Sequence, residues 1–165
     1  MVVSHIVKYG VFFAVVVTGY LFLLMISTSP RIWGYSDYPQ AVKNKVPAQT
    51  KKEKLSGAII GLPWIVFVLA FPVWSTYALK SKLGGEIPFL TAFLNLIVMF
   101  VLVTIGDLVI LDWLVISKIT PKFVIIPGSE AKDYKDFSHH YKAHAKAAVI
   151  IVFIALALAA VAAFL

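Results

Sequence analysis

The chain has no cysteine. Disulfides, thiolate metal sites and cysteine nucleophiles are therefore excluded, and cysteine usage gives no reading of the redox compartment. Charge is scarce too. Only 14% of the 165 residues are charged, against 61% hydrophobic, and eight acids face fifteen Lys and Arg. Soluble domains carry roughly 45–50% apolar residues, so this balance points to a polytopic membrane protein, one membrane domain spanning 1–165. No separate soluble domain has room to fold. With acids so few, each one inside an apolar run is a functional-site candidate. The net charge of +7 is assigned to topology and to anionic headgroups at the membrane surface, not to nucleic acid.

What the chain has in plenty is long apolar runs. Four stand out, at 9–26, 55–79, 88–116 and 147–165. A helix needs roughly 20 residues to cross about 30 Å of hydrocarbon. The expected fold is all-α, a bundle of four transmembrane helices. The first run reads as a retained helix rather than a signal peptide. Only Lys8 precedes it, while many cations follow from Arg31 to Lys54, the reverse of a leader. The loops at 29–54 and 117–146 hold twelve of the fifteen Lys and Arg; Lys8, Lys80 and Lys82 are the rest. The positive-inside rule then puts both basic loops in the cytoplasm and both termini outside.

Local signals refine this plan. Thr50-Lys51-Lys52-Glu53 matches a capping box, so the second helix is expected to begin near Lys51. Pro63 and Pro72 are expected to kink or loosen it. Pro127-Gly128 is a turn signal, and Ser129 an N-cap candidate. A helix is expected from there through His144, leading into the fourth span. Ala155, Ala159 and Ala163 have the small-xxx-small spacing of close helix packing, within the bundle or in a homo-oligomer.

The third span carries Asp107 and Asp112. An Asp at the bilayer centre costs about 2.5–3.5 kcal/mol, less toward the ends. On a straight α-helix five residues turn by about 140°, so the two acids should not form a tight pair. At most one is expected to face the next helix, and the deeper Asp107 is the choice. On that next helix, Asp133, Asp136, His140 and His144 fall on one stripe, with His139 off it. Histidines at i and i+4, with a carboxylate one turn earlier, can hold one divalent cation. The candidate metal set is Asp107, Asp136, His140 and His144, with Asp112 added as a further ligand-binding residue. The competing reading is structural. Histidines before a span are ordinary interface residues, and Asp133, Asp136 and Asp112 can pair with nearby lysines.

Three functional classes fit. One is a small membrane enzyme binding a metal, an anionic lipid or a phosphate at the cytoplasmic interface. Another is an oligomeric ion or solute transporter using Asp107. The third is a non-catalytic subunit or scaffold. Pro30-Arg31-Ile32-Trp33 with Asp37-Tyr38-Pro39, and Thr120-Pro121-Lys122 through Pro127-Gly128-Ser129-Glu130 with Tyr134-Lys135-Asp136, resemble a pattern in small, uncharacterised prokaryotic membrane proteins. That resemblance implies an integral membrane protein and brings no activity, cofactor or catalytic residue.

Overall fold

The computed structural model describes residues 1–164; Leu165, the expected end of the fourth span, lies outside them. The helices are α1 Val2–Ser27, α2 Pro30–Trp33, α3 Gln40–Lys43, α4 Lys51–Lys82, α5 Phe89–Gly106 and α6 Phe137–Phe164. A π-helical segment, Asp107–Ile119, continues α5, and a 3₁₀ turn, Ala131–Tyr134, precedes α6. Four of these stretches are long and apolar enough to cross a membrane. They outrun their apolar runs: α1 starts seven residues before Tyr9, and α6 ten before Ala147. Helical hydrogen bonding carries on into the polar flanks.

The central helix is α5, packed against α1 and α6. Phe13 and Val17 of α1 meet Met99 and Val103. On the other side Leu96 and Phe100 meet Ala155, Ala159 and Ala162. Small side chains let the two backbones approach. The third alanine in this face is Ala162, where the sequence pattern pointed to Ala163, because a 3.6-residue repeat drifts over two turns. The capping box starts α4 as expected: Thr50 Oγ1 accepts from the Glu53 N–H at 3.2 Å, and Glu53 accepts from the Thr50 N–H at 2.7 Å. α4 continues through Pro63 and Pro72 without interruption. Its outer face exposes Leu55, Ile59, Leu62 and Val66.

Both basic loops meet at one end of the bundle and build a small core there. Tyr38, Val42, Val124, Ile126 and Tyr134 are each fully buried in it. The Tyr38 hydroxyl donates to the Val124 carbonyl at 3.0 Å. Lys45 Nζ donates to both oxygens of Asp133, at 2.8 and 2.9 Å. This packing overturns the continuous helix expected through His144. Asp133 also accepts from the Glu130 N–H at 2.8 Å, and Tyr134 turns into the loop core. The chain therefore breaks at Lys135-Asp136 and restarts at Phe137.

One close approach seats α2 on α4. A Cβ on Gly57 would lie 2.7 Å from the Ile32 carbonyl oxygen. That oxygen belongs to the backbone and cannot rotate away. Gly57→Ala is expected to lower the melting temperature in detergent. The clash costs about 1–3 kcal/mol, against a helix gain of about 0.5–1 kcal/mol. A Cβ on Gly61 meets nothing within 4 Å, so Gly61→Ala should hold or raise it.

Candidate metal centre

The π-helical segment decides the site. The Thr120 N–H bonds to the Val115 carbonyl at 2.8 Å, an i→i+5 bond closing the segment. In such a helix the turn widens, and residues five apart fall on one face. Asp107 and Asp112 therefore come together, where α-helical geometry had them about 140° apart. Both face α6, so the expectation that only one could do so is corrected. Nothing in the local composition of this stretch accounts for the wider helix.

Asp112 is the hub. Its Oδ2 lies 2.9 Å from His144 Nε2, and its Oδ1 lies 3.2 Å from His140 Nδ1. Asp107 Oδ2 lies 3.7 Å from the same His144 Nε2. One ligand atom each from Asp107, Asp112 and His144 all fall within 4.8 Å of one another. Ligands about 2.1 Å from a tetrahedral ion are about 3.4 Å apart, so small side-chain adjustments would bring the set onto one cation. His140 is 3% exposed and holds the far oxygen of Asp112. Its Nε2 is buried without a partner among the described residues.

Asp136 is not part of this group. It sits on the exposed start of α6, where its Oδ1 accepts from the Ser138 N–H at 3.1 Å and the Ser138 hydroxyl at 2.6 Å. The helix break removes it from the histidine stripe and makes it a cap. The structure thus brings Asp107, Asp112, His140 and His144 together and leaves Asp136 apart.

The cluster lines a cavity of about 580 Å³. Leu21, Leu24, Trp33, Trp64, Leu111 and Ile116 supply apolar walls, and Asp37 and His139 join the polar side. Sequence reading missed Asp37, because it lies in a loop without periodicity. Its one signal is its place between Tyr35 and Tyr38. His139 reaches the cavity although it lies off the stripe.

Asp37 is exposed by surface area because it faces the open cavity, yet protein crowds it from several sides. That desolvation, and then the Asp112 charge, raise its carboxyl above the usual range, against His140, Lys43 and His139. The folded chain holds this proton to a higher pH than the unfolded chain, whose Asp titrates near about 3.9. Asp37's contribution to stability is thus fully present below that value and lost as pH rises through the folded one. In metal-free protein, Asp37→Asn should raise the melting temperature at neutral pH. The gain should vanish toward about pH 4, and thermal unfolding across that range checks it.

No protein-family model, curated protein or solved structure matches the chain.

Proposed function

We propose that the chain is a multi-pass membrane protein that binds a divalent metal through Asp107, Asp112 and His144. His140 orients Asp112, and the centre serves a small membrane enzyme at the cytoplasmic interface. The observation that carries this reading is the convergence of three ligand atoms within 4.8 Å beside an open cavity.

Charge selects a divalent ion. Two carboxylates close together in a poorly solvated site repel each other. A 2+ ion neutralises both, while the imidazole adds none. Two oxygens and one nitrogen suit zinc, manganese or iron better than calcium. Three protein ligands leave a coordination position free, as catalytic sites do. Such a centre supplies Lewis-acid polarisation of an oxygen, or activation of water.

Membrane insertion is supported by the four apolar helices and by the apolar side chains on the outside of α4. The cytoplasmic placement rests on the twelve-to-three count of Lys and Arg. A binding site is favoured over a conduit by the layer of Phe13, Val17, Met99 and Val103. It lies between the acids and the other polar group, His5, Ser75, Thr76 and Asn95, at the far end of the bundle.

The test is metal analysis of protein extracted in mild detergent, followed by calorimetric titration with Zn²⁺ and Mn²⁺. One ion per chain, lost in His144→Ala, is expected. A metal-free protein that takes up neither ion would refute the reading.

A further inference from the structure

We propose that the cavity is a binding chamber for a single-chain amphiphile with an anionic oxyacid head. It rests on the metal reading in one respect: with the head held in the second lobe, the chain extends into the lobe that Asp107, Asp112 and His144 line.

The volume is the first argument. A bare ion needs no chamber, yet a second lobe of about 310 Å³ adjoins the first. Leu21, Leu24, Trp33, Ser36 and Trp64 line both. Pockets of about 300–1,000 Å³ suit organic ligands, with apolar walls and a few placed polar groups. This is room for one chain rather than a two-chain lipid.

The polar groups sit in separate lobes. The acids and histidines line the first lobe, whereas Gln49 and Lys54 line the second. Nearby Arg31 is bound to Glu53 at 2.5 and 3.1 Å. Lys54 makes no ion pair among the described residues and is exposed at the start of α4. A free cation beside an apolar slot at a membrane interface attracts an anionic head while the tail lies along the walls.

Gly61 provides the test, because it lines the second lobe and a Cβ there meets no atom of the described residues within 4 Å. Gly61→Leu should fill the lobe and leave the fold and the metal ligands untouched. The full chain in detergent is photolabelled with a diazirine-bearing hexadecanoic acid, and the labelled peptides are mapped. Hexadecanoic acid, hexadecyl phosphate and hexadecanol serve as competitors. Label is expected around Leu21–Leu24 and Gly61–Trp64, reduced about tenfold in Gly61→Leu. Lys54→Met should weaken the two acids about tenfold and leave the alcohol unchanged. Whichever acid competes at lower concentration identifies the head as carboxylate or phosphate.

Label spread over the outer faces of all four long helices, and unchanged in Gly61→Leu, would overturn the proposal. So would hexadecanol competing as well as the acids. Metal content is measured in the same samples. Localised label without metal defeats the metal reading alone; bound metal with scattered label defeats the chamber alone.

Discussion

Replacing Asp112 with alanine is expected to lower metal affinity by more than about 100-fold, the largest loss of any single change. Removing a residue that only orients a metal ligand typically costs about 10–100-fold, and Asp112 does more than orient one. It offers one oxygen to the site at 2.9 Å from His144, and its other oxygen holds His140 at 3.2 Å. Its loss removes a ligand and leaves two histidines without their acceptor. It also halves the negative charge that a divalent ion would neutralise. His140→Ala should cost about 10–100-fold, because His140 acts through Asp112. Asp136→Ala should change nothing at the metal, since Asp136 only caps α6. Titration with Zn²⁺ at fixed pH ranks the three. An Asp136 effect as large as that of Asp112 would sink the assignment.

This ordering could not have been read from the sequence, and the reason is physical. The residue types were legible: two acids in an apolar run, and histidines spaced at four. Their geometry was not, because helical-wheel reasoning presumes 3.6 residues per turn. The i→i+5 helix over Asp107–Ile119 changes that number where it matters. The four long apolar helices were legible because length and hydropathy alone decide them, and the capping box at Thr50 because its hydrogen bonds are local. The break before Phe137 was hidden because distant residues make it. Lys45 claims Asp133, 88 positions away, and the loop core claims Tyr134. Local pattern reads what local forces build. Asp37 illustrates the same limit, since only the folded loop carries it to the cavity.

The largest loss of stability is expected from Tyr134→Ala. Tyr134 is fully buried between the two basic loops. Its ring meets that of Tyr38 edge-on, with centroids 4.9 Å apart. Its hydroxyl oxygen accepts from the Ile126 N–H at 2.8 Å and contacts Ser129 Oγ at the same distance. Truncating a buried aromatic costs about 3–5 kcal/mol. Orphaning a buried amide costs about 1–3 kcal/mol, although water entering the gap would recover part of it. A net loss of at least about 3 kcal/mol is expected. Tyr134→Phe isolates the hydrogen bond and should cost about 1–3 kcal/mol. The site of the damage distinguishes this change from a bundle mutation. Tyr134 belongs to the loop-end cluster, with Met25, Leu111, Val115 and Ile116, and not to the clusters that join α5 to α1 and α6, so hydrogen exchange should rise in 33–46 and 120–136 while α5 stays protected. Metal affinity should fall by less than about tenfold, because the ligands are carried by α6 and the segment continuing α5. Loss of protection in α5 would mean that the loop core holds the bundle together. Loss confined to the loops makes them a cover folded over the site by their own packing.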